Sequence, residues 1–273
     1  MTKSIVTKED FSRALREIGV SEGDICLFHS SFKSLGTVEG GAQSIIDGFE
    51  AVLGKEGTLV APTLIQKDFQ NAYKTWYMDK PSDVGFLTEF FRKQIYVYRS
   101  NQETHSVAAR GKYAYELTHE HTAYGPHLCP FGEYAFADSS PWRKMYDRNA
   151  KVVFIGVTMR YHTMKHMIEA TYVEDLLASV ADADRRQALQ NRLITFGCYD
   201  DKIWPFYEPL AMQAALDERG LIRKGRCGDA DLYCVNARET ADATLTLLKA
   251  SPEKWFGDEA LRWIRECEQA ASR

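Results

Sequence analysis

The chain has 273 residues, 45% of them hydrophobic and 26% charged, with a net charge of -4 at pH 7; this is ordinary globular composition, long enough for one large domain with a sizeable core. The slight acidic balance gives nucleic acid no electrostatic footing, and no apolar run approaches the roughly 20 residues of a membrane helix. The opening MTKSIVTKED lacks the apolar core of a secretion signal, and the six scattered cysteines, with no CxxC, read as reduced thiols of a cytoplasmic protein.

Thr7 to Asp10 has the form of a capping box, and Phe11, Leu15 and Ile18 follow at helical spacing, which predicts an amphipathic helix over 8–19. ICLF (25–28) reads as a buried strand. HSSFKSLGTVEGG (29–41) reads as a polar, glycine-bearing loop, and Ile45, Ile46, Phe49, Val52 and Leu53 predict a helix over 42–53. TLVAPT (58–63) is the next strand. Strand, loop, helix and strand in this order favour a parallel sheet. Residues 66–83 have no clean period and carry Phe69, Tyr73, Trp76 and Tyr77, an aromatic excursion over the surface.

Helix is expected over 86–94, strand over 105–110, helix over 112–121, and a long loop over 122–140. Loops of that length inside a compact domain are usually functional. Ser140-Pro141 opens a helix through Tyr146. KVVFIGV (151–157) is the clearest strand, and a helix starting in the HTMKHMIEATY stretch runs to about Leu177. A charged helix over 181–192, a strand near 193–197, a helix near 208–219, a strand near 231–235 and helices from about 238 complete the chain.

HTMKHMIEATY (162–172) is the most suggestive segment. If all of it is helical, His162, His166 and Glu169 share one face. Such a face could ligate a metal, run proton transfer, or be an ordinary polar stripe. Thr163 stands where the zinc-protease motif needs Glu, and no cysteine or second acidic cluster completes a site. Proton transfer needs only His166 as base with Glu169 to orient it. A helix start after a strand also lies where open α/β sheets bind ligands. HSSFKSLGTVEGG lacks both the Walker ending and GxGxxG, but its hydroxyls and amides suit an anionic or amide-rich ligand. Thr104, His105 and Ser106 place a serine beside a histidine, yet no GxSxG elbow occurs.

Taken in order, these segments resemble the aminoglycoside 3-N-acetyltransferase (antibiotic N-acetyltransferase) family. HSSFKSLGTVEGG precedes a helix and GTLVAPT; PSDVGFLTEFFRKQ leads to YRSNQETHSVAARG. PFG and SSPWRKMY precede KVVFIGV and HTMKHMIEATY, and GLIRKGRCGDADLYCVNARE follows near the C-terminus. The similarity spans residues 20 to 256 or so. It implies one α/β domain over 1–273 with a central mixed, largely parallel sheet flanked by helices. It also implies acetyl-CoA as co-substrate without a metal, and an amine of an aminoglycoside-like amino sugar as acceptor. By the same resemblance His166 is the general base with Glu169 beside it. His29, Ser30, Ser31, Ser34, Leu35 and Gly36, with Thr104, His105, Ser106 and Val107, would line the CoA arm. His162 has no counterpart and is expected to be a helix-start residue. Direct transfer in a ternary complex is expected, and a homodimer is left open.

The pattern is interrupted once. The family usually closes PFG to the Ser-Pro pair within a few residues, whereas EYAFADS (133–139) separates them here. Cys129 before Pro130 resembles relatives acting on sugars other than antibiotics. A polycationic acceptor would want carboxylates, for which Glu120, Asp138, Glu169, Glu174 and Asp175 are candidates. A nucleotide-linked amino sugar would want Arg99, Arg110, Arg143 or Arg160 for its diphosphate.

Overall fold

The first helix begins as its sequence predicts. The Thr7 hydroxyl accepts from the Asp10 amide at 3.1 Å, and the Asp10 carboxylate accepts from the Thr7 amide at 3.2 Å. Phe11, Ala14 and Leu15 then turn one face of Lys8–Glu17 inward. The computed structural model describes residues 4–67, 69–125, 129–132 and 134–272, without the side chains of Gln70 and Tyr73. The expected loop over 122–140 and the aromatic excursion therefore lie partly outside the described residues.

Among the described residues nine strands form: β1 (Ile5–Val6), β2 (Ile25–Ser30), β3 (Thr37–Val38), β4 (Thr58–Pro62), β5 (Tyr98–Arg99), β6 (Val107–Gly111), β7 (Lys151–Ile155), β8 (Arg223–Cys227) and β9 (Ala230–Asn236). Seven of them make one sheet in the order β5-β6-β4-β2-β7-β9-β8. β2 pairs in parallel with both β4 and β7, and every other pairing in this sheet is antiparallel. The sheet is thus mixed and flanked by helices, with parallel pairing confined to its three central strands. A parallel pair needs a crossover, which the Gly41–Leu53 helix supplies between β2 and β4, whereas Gly228 and Asp229 return β8 directly into β9 as an antiparallel neighbour.

Side chains on the central strands alternate between two cores. Leu27, Val60, Val152 and Phe154 face one that contains Trp142, Tyr172 and Trp263. Cys26, Phe28, Leu59 and Val153 face the other, with Phe11, Ile46 and Phe49. The chain leaves β2 for β4 on one side and later returns to β7 on the other. The C-terminal end of β2 is therefore a topological switch point, where open α/β sheets form their ligand crevice.

Three expectations need correction. The 29–41 segment is not all loop: Phe32–Leu35 forms a 3-10 turn, and β3 pairs with β1 near the N-terminus. Residues 193–197 form no strand; Leu193 and Thr195 make only isolated bridges, to Ile203 and Cys198. β8, RKGRC, escaped the pattern because it is a largely exposed edge strand whose polar residues carry no alternation. The helices otherwise fall near their expected spans, including Gly41–Leu53, Phe86–Arg92, Pro141–Asp147, Ala183–Gln190 and Pro209–Asp217.

Candidate active site

The ends of β2, β4 and β7 open into a chamber of about 1080 Å³. His29 and Ser30 line it from the end of β2 with Ser31 just beyond, Pro62 from the end of β4 with Leu64 two residues on, and Val157 from the turn after β7. That turn uses Gly156 with φ +59°. A Cβ there would collide with the Ser34 hydroxyl, so glycine lets the 31–34 segment lie against the end of β7.

HTMKHMIEATY is not one continuous helix. His162 closes a short 3-10 turn (Met159–Tyr161), and the long helix runs Lys165–Ser179. The expected common face of His162 and His166 therefore does not form. His162 turns under the sheet edge, its ring 6.4 Å from His29 and 5.5 Å from Phe154. Both His29 and His162 are buried in the chamber wall, and neither His29 Nε2 nor His162 Nδ1 has a hydrogen-bond partner among the described residues. Burial pushes each imidazole down to about 3, so both are neutral at physiological pH.

His166 and Glu169 do come together, one helical turn apart. His166 Nδ1 lies 2.8 Å from Glu169 Oε2. Glu169 is wholly buried, yet its other oxygen also has donors: Lys165 Nζ at 2.6 Å and the Tyr207 amide at 3.2 Å. Three donors offset the several kcal/mol that a buried lone carboxylate would cost. With Nδ1 donating to Glu169, the lone pair of neutral His166 is on Nε2. His166 remains 23% accessible and lines the chamber.

An aromatic collar surrounds this histidine. Ring centroids of Phe131, Phe136 and Phe206 lie 4.2, 5.8 and 6.1 Å from it. Phe136 comes from the segment expected to be an insertion, and there Ala135, Phe136 and Ala137 are buried, while the Ala135 carbonyl accepts from His121 Nε2 at 3.0 Å. His105 sits behind the collar, 5.9 Å from His166, with Nδ1 2.8 Å from the Thr104 hydroxyl. Burial holds His105 well below the usual histidine range, aided by His166 and His121.

Of the residues expected along the CoA arm, His29, Ser30, Ser31 and His105 line the chamber. The others lie outside its wall. Ser34 donates to the Ser31 carbonyl at 2.6 Å, Leu35 is core, and Gly36 packs against the backbone of Ser4. Thr104 hydrogen-bonds the Phe131 carbonyl, Ser106 bonds Thr63, and Val107 is buried in β6. Their polarity is consumed in fastening loops to the sheet. The sequence reading missed Lys165, Thr163, Lys67 and Asp83 in the chamber wall, and Phe206 beside it. Lys165 had a legible signal, since it stands four residues before Glu169.

Of the acids considered for a polycationic acceptor, Glu169 is at the site but shared by His166 and Lys165, and the others are absent from the chamber wall. Glu120 and Asp138 are exposed, and Asp175 pairs with Lys249 at 2.7 Å. Glu174 is pushed up to about 7 by burial and by Asp138 and Asp175. Among the described residues, Asp83 is the one carboxylate in the chamber wall, and its oxygens accept from the amides of Gln66 and Lys67 at 2.8–3.0 Å. Of the arginines, Arg160 lines the chamber. Arg99 is occupied by the Thr63, Met78 and Lys80 carbonyls, Arg110 by Glu50 and Arg143 by Asp147. No group of three or more His, Cys, Asp or Glu suited to a metal occurs among the described residues. None of their helices is long and apolar enough to cross a membrane.

A mixed α/β fold thus places a histidine–carboxylate pair at its switch-point chamber. Residues 27–249 match the family described as aminoglycoside 3-N-acetyltransferase, and the chain belongs to that family of N-acetyltransferases. The chain is 24% identical to the SPbeta prophage-derived aminoglycoside N(3')-acetyltransferase-like protein YokD of Bacillus subtilis, over 92% of each. It is 25% identical to aminoglycoside N(3)-acetyltransferase IX of Micromonospora chalcea, over 90% of this chain and 94% of that one. The solved structure of AAC-IIIb in binary complex with CoASH shares the fold at a TM-score of 0.70 and 19% identity, covering 93% of this chain and 99% of that one.

Proposed function

We propose that this protein transfers an acetyl group from acetyl-CoA directly to an amine of an amino-sugar acceptor, with His166 as general base and Glu169 as its orienting partner. The observation that carries the reading is the 2.8 Å contact between His166 Nδ1 and the buried Glu169, at the wall of a chamber formed where β2, β4 and β7 end.

The chemistry follows from that contact. Free amines are mostly protonated near neutral pH and are not nucleophilic in that form. An amine that arrives neutral attacks the thioester carbon, and His166 Nε2 takes the proton that the nitrogen must lose. The tetrahedral intermediate collapses by breaking the C–S bond, and the imidazolium returns its proton to the departing thiolate. Histidine ends neutral, so no acyl-enzyme is needed. Ser30, Ser31 and Thr163 line the chamber beside His29 and His162, and their hydroxyls suit the amides of a pantetheine arm. Lys33, Lys67 and Arg160 suit its phosphates.

A second reading keeps the mechanism and changes the acceptor to a nucleotide-linked amino sugar. Asp83, the one carboxylate in the described chamber wall, is held by two backbone amides and leaves a polycation little to pair with, which favours it. Six free cysteines, five of them buried, support a reducing cytoplasm.

The test is thiol release from acetyl-CoA across a panel of aminoglycosides and nucleotide-linked amino sugars. His166→Ala should lower turnover by roughly 10²-fold or more and leave acetyl-CoA binding nearly intact. Comparable turnover in the variant would remove His166 from the role of base.

A further inference from the structure

Resting on the transferase reading, we infer that Phe206 is the platform on which the acceptor lies, and that it selects an acceptor with one reacting amine on an apolar ring face over a polycation. Phe206 is 43% exposed although its flanking aromatics Trp204 and Tyr207 are buried. Its backbone is anchored on both sides. Its own amide donates to the Trp204 carbonyl at 2.9 Å, and the next amide, that of Tyr207, donates to Glu169. Three residues further on, Pro209 lines the chamber. An exposed phenyl ring fixed 6.1 Å from the base His166, and 6.1 Å from Phe131, is preorganised to receive a ring.

Lys165 decides what kind of ring that is. Its ammonium lies 5.2 Å from the centroid of Phe206 while pairing with Glu169. A cation against an aromatic ring draws on the negative potential of its π-system. The ring then has less attraction for a second ammonium and keeps its dispersion attraction for C–H faces. The carboxylate that could have attracted further ammonium groups, Glu169, is already shared by Lys165 and His166. Asp83, in the same wall, is capped by two backbone amides. An acceptor with several positive charges would therefore meet Lys165 with no free carboxylate in the described chamber wall to balance it. An amino-deoxy sugar ring, with one amine and an apolar face, meets no such opposition.

The experiment separates acceptor binding from turnover. Titration calorimetry on the CoA-loaded enzyme would compare a mono-amino deoxyhexose, free and nucleotide-linked, with an aminoglycoside bearing four or more amines. Phe206→Ala and Lys165→Met would be titrated alongside the unsubstituted protein. The expected result is tighter binding of one of the mono-amines, weakened about fivefold or more by Phe206→Ala, and tighter aminoglycoside binding in Lys165→Met. Phe206 is exposed, so its truncation leaves the core intact and that arm remains readable if Lys165→Met proves unstable. Preference of the unsubstituted protein for the aminoglycoside, no binding of either mono-amine, or unchanged affinity in Phe206→Ala would each overturn the inference. These binding outcomes are independent of whether His166→Ala abolishes thiol release, so the failure of either reading is recognisable by itself.

Discussion

Lys165 Nζ stands 2.6 Å from Glu169 Oε1, on the carboxylate oxygen that His166 does not use. The two residues are one helical turn apart, so the backbone sets the pairing and little entropy is lost in forming it. Lysine at the first position of a helix opposes the helix dipole, and the buried carboxylate compensates. Glu169 in turn holds two elements together: the Lys165–Ser179 helix and, through the Tyr207 amide, the segment that carries Phe206.

Replacing Lys165 with Met should therefore destabilise the protein. The carboxylate would keep the imidazole and one amide but lose its ammonium, and breaking a buried ion pair costs about 3–5 kcal/mol. Lys165 keeps 10% of its side chain accessible, which places the expected loss at about 3 kcal/mol, the lower end of that range. Urea denaturation would read it directly as a lowered midpoint with an unchanged slope; an unchanged midpoint would show that the pair contributes nothing to the fold.

Glu169→Gln should reduce turnover less than His166→Ala does. The amide can still accept from His166 Nδ1 and fix the ring, but it loses the negative charge that favours the developing imidazolium. A fall of about tenfold in kcat, with KM for acetyl-CoA little changed, is the expected outcome in steady-state thiol release. Loss as large as that of His166→Ala would mean that Glu169 does more than orient.

The central strands and most helices were legible because their signals are local: short continuous apolar runs in ICLF and KVVFIGV, buried on both faces, and the Thr7–Asp10 box. The pairing of His166 with Glu169 was legible for the same reason, three residues apart on a helix. The break after His162 was not, because a 3-10 turn followed by a helix start has nearly the residue pattern of a continuous helix. Thr104, Ser106 and Ser34 looked like ligand groups because polarity does not reveal its partner; folding gives each a backbone carbonyl. Phe206 and Phe136 reach His166 from chain segments about 40 and 30 residues away, contacts set only by tertiary structure.

Acid should destabilise the protein once pH falls below the ordinary histidine range. Burial holds His29, His121 and His162 at about 3, and His105 well below its ordinary value. Unfolded, these histidines bind protons near pH 6.5; folded, they stay neutral until far lower pH. The unfolded state thus binds more protons, and stability falls as pH drops from 6.5 towards 3. Each histidine contributes up to about 1.4 kcal/mol per pH unit in that window. The midpoint of thermal unfolding should drop steeply between pH 6.5 and 4.5, and His162→Gln should make the slope shallower by about one proton. A flat profile would mean that these side chains are hydrated in the native state.

Phe136 tests whether the 133–139 insertion belongs to the site. It is 7% exposed and packs between His105, His166 and Trp142 at centroid distances of 5.0, 5.8 and 5.8 Å. Truncation to alanine removes a core ring and leaves a cavity, at a cost of about 3–5 kcal/mol. It also frees one side of the His166 imidazole, so kcat should fall further than the share of unfolded protein explains. Phe136→Leu fills most of the space and should recover stability to within about 1.5 kcal/mol, but without the flat ring against His166 it should recover less of the turnover. Equal recovery of both in that variant, measured by urea denaturation and thiol release on the same preparation, would reduce the insertion to packing alone.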